Sequence, residues 1–175
     1  MKRKVIKAEK FILRPPKMED APDLAKNLND KKIIDNLSTI PYPYGIKDAE
    51  FWLNETAAFW RKKNPEKLNF LIEIEGEVVG AIGLENTEKD HKAELGYWLA
   101  RKHWGGGVMS KAVEEIVNFG FKDLNLKRIY AKVYSFNEGS KKVLEKNGFI
   151  QEGYLKKEAK KGDKYIDAFL FAKIK

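Results

Sequence analysis

Trp98-Leu99-Ala100-Arg101-Lys102-His103-Trp104-Gly105-Gly106-Gly107-Val108-Met109-Ser110 is the stretch that decides the architecture. It follows a run, residues 91–100, that reads as a strand. Three consecutive glycines come next. Val108, Ala112, Val113, Ile116, Val117 and Gly120 then recur at helical spacing and predict a helix over residues 107–121. The first turn of a helix leaves backbone N–H groups without partners. The helix dipole adds partial positive charge there. Glycines let a ligand approach that backbone. Strand, glycine turn and helix mouth together suit an anion, best a pyrophosphate. The plainer alternative is that the glycines only make a tight turn.

Two phosphate-binding motifs can be tested on the same residues. A P-loop needs Gly-Lys-Ser/Thr, whereas Ser110-Lys111 comes in the wrong order and too late. A dinucleotide fold needs a third Gly or Ala and an acid ending the next strand. Here Ser110 takes the third position, and the next strand ends Tyr134-Ser135-Phe136. Both motifs lose ground.

Outward from this centre, Phe11-Ile12-Leu13-Arg14 reads as a short strand stopped by Pro15-Pro16. Helices are expected over residues 18–28, 31–37 and 48–63, with a proline-rich loop at 38–45. Strands at 69–75 and 78–84 form a hairpin about Gly76. A strand at 128–135, a helix at 137–146, and strands at 149–154 and 164–173 complete the chain. This order predicts an α/β layer built on one mixed sheet, a single domain over residues 1–175.

Composition sets outer bounds. With 175 residues, 43% hydrophobic and 34% charged, the chain can bury a core beneath a solvated surface. It has no cysteine, which excludes disulfides, thiolate zinc sites and a cysteine nucleophile. No apolar run approaches the roughly 18 residues that span a bilayer. The basic start lacks a signal peptide's apolar stretch, so a cytoplasmic protein with no membrane partner is expected. The net charge of +8 comes from scattered lysines, with small clusters at Lys156-Lys157 and Lys160-Lys161. No RNA-reading or helix-turn-helix signature accompanies them, so nucleic acid is not an expected partner. His91 and His103 are isolated and show no metal-ligand spacing.

Residues 94–113, ELGYWLARKHWGGGVMSKAV, resemble the acetyl-CoA loop of the GNAT N-acetyltransferases, whose pattern is Gln/Arg-x-x-Gly-x-Gly/Ala at a helix start. Gly105 and Gly107 fill the glycine slots. Lys102 stands in the Gln/Arg slot, keeping a cation but losing the planar donor group. Residues 137–149 resemble the family's Asn-x-x-Ser/Ala helix followed by Glu-Lys-x-Gly-Phe. Leu13-Arg14-Pro15 with Glu19-Asp20, and Glu152-Gly153-Tyr154 with Asp163 and Asp167, match in the same order. The likeness is closest to the RimJ/RimL-type branch, which acetylates protein N-terminal amines and sometimes other amines.

The resemblance implies a central, mostly antiparallel sheet flanked by helices and splayed between its two central strands. It implies acetyl-CoA as co-substrate, with no metal. Backbone N–H groups from Gly105 through Gly106, Gly107 and Val108 to Met109 would hold the pyrophosphate. Trp98, Leu99, Lys102, Trp104 and Ser110 complete the expected cofactor surface. Asn137 would bond the pantetheine arm or the acetyl end, although Asn also favours a helix N-cap. Ser140, one turn on, faces either the cofactor or solvent.

Glu94 is the candidate catalytic base. Strand alternation puts it on one face with Gly96 and Trp98, and the alternative is a solvent-facing carboxylate. Backbone N–H groups freed at the splay would polarise the thioester carbonyl. Many members carry a tyrosine where this chain has Leu144, so the acid that protonates the thiolate is missing from its usual place. Tyr134 is a weaker substitute. The expected reaction is direct acetyl transfer to a primary amine, foremost a protein N-terminal α-amine. A polyamine or aminoglycoside acceptor, or a non-catalytic CoA-binding module, are the alternatives. Monomer and homodimer both remain open.

Overall fold

The computed structural model describes residues 4–38 and 40–175. The chain begins with β1 (Ile6–Lys7) and β2 (Ile12–Arg14), then α1 (Ala21–Leu28), α2 (Lys31–Ile34) and α3 (Ile46–Phe59). A meander follows: β3 (Leu68–Ile74), β4 (Glu77–Glu88) and β5 (Lys92–Leu99). After it come α4 (Val108–Lys122), β6 (Arg128–Tyr134), α5 (Glu138–Lys146), β7 (Ile150–Lys161) and β8 (Lys164–Ile174). All eight strands join one sheet in the order β1-β2-β3-β4-β5-β6-β8-β7. Every pairing is antiparallel except β5 with β6. Those two are parallel because α4 carries the chain back between them, as a parallel pair requires.

Alternation along β3 divides the interior in two. Leu68, Phe70 and Ile72 face a core shared with Val113, Ile116 and Val117 of α4. Leu71 faces the other side, where Leu24 of α1 and Leu53 of α3 pack against Val78 and Ala81. The sheet is therefore covered by α4 on one face and by α1 and α3 on the other. Arg14 ties the first elements together. Its guanidinium donates to Asp20 at 2.9 and 2.6 Å and to Glu73 on β3. Asp20 also accepts from the Lys17 N–H at 2.7 Å, fixing the turn that leads into α1.

Several boundaries differ from the sequence reading. β1 was not expected; two residues paired with β2 leave no periodicity to detect. The third helix runs Ile46–Phe59 rather than 48–63. It stops where Trp60 turns inward and its indole N–H donates to Asn69 O at 3.1 Å. The second helix is a single turn, Lys31–Ile34, rather than 31–37. β4 continues beyond residue 84 to Glu88 across a bulge in which Asn86 has a φ of 49°. β7 continues beyond residue 154 to Lys161 through a bulge between Leu155 and Ala159. Bulges interrupt the period-two pattern that marks a strand.

Candidate active site

The pairing of β5 with β6 lasts three residues: Lys92 with Arg128, Ala93 with Ile129, and Glu94 with Tyr130. β5 then runs on to Leu99 and β6 to Tyr134 without further pairing to each other. The sheet is split from this point. A cavity of about 1340 Å³ occupies the split and continues to both faces.

Of the residues singled out in the sequence, Glu94, Trp98, Leu99, Trp104, Gly105, Gly107, Val108, Met109, Ser110, Asn137 and Ser140 line this cavity. Lys102 and Gly106 do not; they border a smaller depression beside Lys10 and Glu75. The Lys102 ammonium instead donates to Glu77 at 2.6 Å. Lys102, Asn27 and Lys26 together hold the Glu77 carboxyl down at about 2. Lys102 thus braces the start of β4, because a flexible ammonium turns to the nearest carboxylate.

The helix mouth has the form that an anion requires. Gly105 and Gly107 have φ of +76° and +79°, where a side chain is strained. A Cβ on either would meet nothing within 4 Å, so the space before the backbone is open. Gly107 caps α4, and its carbonyl accepts the Lys111 N–H at 3.0 Å. The Trp104 indole N–H donates to Leu99 O at 2.7 Å and pins the loop to β5. Asn147 donates to Ser110 O at 3.1 Å and holds the first turn of α4 against α5. Asn137 caps α5, its Oδ1 accepting the Ser140 N–H at 3.0 Å. Its side-chain oxygen is thereby committed to the helix, while the residue still borders the cavity.

Glu94 shares its sheet face with Gly96 and Trp98, and accepts from Asn86 Nδ2 at 3.0 Å. Burial, then the Glu94 charge, push the neighbouring Tyr130 hydroxyl up. Four further carboxylates line the cavity, Asp35, Glu85, Glu138 and Glu158, and none of them was singled out as a site residue in the sequence. Glu85 is the register partner of Glu94 across β4 and β5. Glu158 accepts from Lys132 Nζ at 2.6 Å. Strand register would have revealed Glu85, but the bulge before Glu88 shifts the count.

Leu144, at the position where the family resemblance implies a tyrosine, is fully buried on the inner side of α5. Other hydroxyls border the cavity. The Tyr97 hydroxyl lies 2.6 Å from Ser140 Oγ, and burial pushes it up to about 12 although Ser140 opposes this. Tyr134 is only 8% exposed. Its hydroxyl has no hydrogen-bond partner among the described residues, and burial raises it. His91 pairs with Glu88 at 2.9 Å on the surface. No group of three or more His, Cys, Asp or Glu among the described residues is placed to hold a metal ion. No helix among them is long and apolar enough to cross a membrane.

Comparison with known proteins agrees with this geometry. Residues 10–150 match the acetyltransferase (GNAT) domain profile. The chain is 30% identical to the uncharacterized N-acetyltransferase p20 of Bacillus licheniformis over 168 residues, 95% of this chain and 94% of that one. It is 37% identical to the ribosomal-protein-serine acetyltransferase of Escherichia coli (strain K12) over 106 residues, 60% of this chain and 59% of that one. Among solved structures it superimposes on Mycobacterium smegmatis RimJ, in complex with CoA-disulfide, with a TM-score of 0.84 and 28% identity. That match covers 94% of this chain and 81% of the other. A split sheet, a glycine mouth opening onto the split and a profile spanning most of the chain converge: this protein belongs to the GNAT family of acetyl-CoA-dependent acetyltransferases.

Proposed function

We propose that the acceptor is the α-amine of a protein N-terminus and that Glu94 is the base that receives its proton. One observation carries this reading. The cavity runs without interruption from the glycine mouth of α4, through the split, to the Glu94 carboxylate. Acetyl-CoA supplies the thioester carbonyl that the nitrogen attacks. The backbone N–H groups at Gly105, Gly107, Val108 and Met109 would hold its diphosphate. Gly106 contributes backbone to the same loop while bordering the outer depression.

The chemistry asks little of the protein. A peptide α-amine with a pKa of about 8 is partly neutral at pH 7, so one carboxylate suffices as base. The amine loses one N–H proton to Glu94 as the N–C bond forms and the C–S bond breaks. The sulfur is protonated from a cavity hydroxyl, for which the Tyr97–Ser140 pair and Tyr134 are the candidates. With no cysteine in the chain, transfer is direct rather than through a cysteine acyl-enzyme.

The charge around the cavity favours a singly charged acceptor over a polyamine or aminoglycoside. Asp35, Glu85, Glu94, Glu138 and Glu158 are matched by five lysines, so there is no net negative field for a polycation. Similarity to a ribosomal-protein-serine acetyltransferase points the same way. The test is an acetylation screen of peptides with different first residues, with polyamines and aminoglycosides alongside. Turnover of peptides bearing a free α-amine is expected. Turnover confined to polyamines or aminoglycosides would overturn the assignment.

A further inference from the structure

Glu85 and Glu94 stand directly opposite each other on β4 and β5. Opposed residues share a sheet face, so two like charges lie side by side, which is unfavourable unless something answers them. The protein answers them only in part. Asn69 Nδ2 donates to Glu85 at 3.3 Å, and Lys67 approaches it at 3.5 Å from a side chain 43% exposed. Glu94 receives Asn86, with Tyr130 and Lys132 as its neighbours from β6. Asn69 is itself buried and lies over Gly83, where a Cβ would fall 1.9 Å from its Oδ1. Glu85 is thus presented from a fixed floor rather than from a loose surface.

Beside the pair, a Cβ on Gly96 would meet nothing within 4 Å, so the space next to Glu94 is open. An independent sign of a ligand comes from β6. Tyr134 lines the same cavity, and its buried hydroxyl lacks a partner among the described residues. A buried donor is ordinarily paired, and a bound acceptor group would pair it.

We propose that Glu85 is a specificity-determining residue that, with Glu94, receives the acceptor amine as its ammonium ion. This rests on the amine-acetylation reading above. The ammonium gives up one proton to solvent before its nitrogen attacks, and Glu94 takes the second as the N–C bond forms; Glu85 sets which amines stay long enough to react. Lys67 competes with the ammonium for the same carboxylate.

The test is titration of the protein, saturated with desulfo-CoA, with a short peptide bearing a free α-amine and with its N-acetylated counterpart. n-Butylamine, a bare primary ammonium, is titrated in the same way. In Glu85→Gln, which keeps the shape and the Asn69 contact, Kd for the free-amine peptide and for butylamine should rise at least tenfold. Kd for the N-acetylated peptide and for coenzyme A should be unchanged. Lys67→Met should tighten both amines. An unchanged amine affinity in Glu85→Gln, or equal loss for charged and acetylated peptides, would overturn the proposal. If only butylamine binds, the peptide assignment fails, and the Glu85 assignment is decided by whether Glu85→Gln weakens that binding.

Discussion

The hydroxyls of Tyr97 and Ser140 lie 2.6 Å apart and join β5 to α5 where β6 has already diverged. Tyr97 is the only side chain from β5 that makes a side-chain hydrogen bond to α5 among the described residues. Removing its hydroxyl leaves Ser140 Oγ short of a partner in a half-buried setting. Tyr97→Phe should therefore cost about 1–2 kcal/mol in urea unfolding. Ser140→Ala should cost a similar amount. The double variant should lose clearly less than the sum, as residues sharing one bond do. Full additivity would mean that the pair does not act as a unit. Because this pair is one candidate proton source, kcat should fall in Tyr97→Phe while the Kd for coenzyme A holds.

Two buried phenols make stability sensitive to alkali. Burial pushes Tyr97 and Tyr44 up to about 12, against an ordinary value of 10.0. Between those values the unfolded chain gives up protons that the folded chain keeps. The stabilisation is complete below pH 10 and is lost as pH rises toward 12. Each phenol contributes a slope of about 1.4 kcal/mol per pH unit at most in that window. Lysines titrate there too, so the comparison is between parent and Tyr44→Phe/Tyr97→Phe. The double variant should show a flatter fall in urea midpoint between pH 10 and 11.5. Equal slopes would contradict the burial argument.

Arg14 joins β2, the turn at Asp20 and β3, and all three side chains are at most 21% exposed. Cutting one partner from a buried ionic group leaves charge unanswered, which costs about 3–5 kcal/mol. Arg14→Met should lose that much by denaturant unfolding, and Asp20→Asn less, since the amide oxygen can still accept the Lys17 N–H and Glu73 still answers the guanidinium. A loss below about 1 kcal/mol for Arg14→Met would show that the cluster is not structural.

Glu94→Gln separates proton transfer from binding. The amide retains the size of the carboxylate and removes the base. A drop in kcat of about 10²–10⁴ is expected for loss of general-base help, with the coenzyme A affinity within twofold of the parent. An unchanged kcat would move the base to another carboxylate of the cavity, and Glu158 beside Lys132 is the next to test.

What the sequence disclosed follows from which signals are local. The α4 helix and its glycines were legible because period, dipole and backbone freedom are all encoded within a dozen residues. The face shared by Glu94, Gly96 and Trp98 came from simple alternation. Arg14 and Asp20 stood in the sequence only as parts of two matching segments; that they bond to each other is a product of the fold. The ion pair of Lys102 was not legible, because its partner, Glu77, lies 25 positions away in sequence and meets it only after folding. Glu85 and Glu158 were missed because bulges before Glu88 and before Ala159 change which face a residue joins. Tyr134 entered the sequence reading only as a weaker substitute for the missing acid; that its hydroxyl lacks a partner among the described residues depends on strands that meet only in the finished sheet.

The central claim is that the main chain at the mouth of α4 grips the diphosphate, and a paired titration tests it most directly. Coenzyme A and pantetheine, which lacks the diphosphate, are titrated against the parent and against Gly107→Asp, whose carboxylate would enter the open space before the helix. The account predicts that Gly107→Asp weakens coenzyme A at least a hundredfold and changes pantetheine less than threefold, in a protein whose far-UV spectrum is unchanged. Coenzyme A binding that survives the substitution, or a parent protein that binds the two ligands equally, would contradict it.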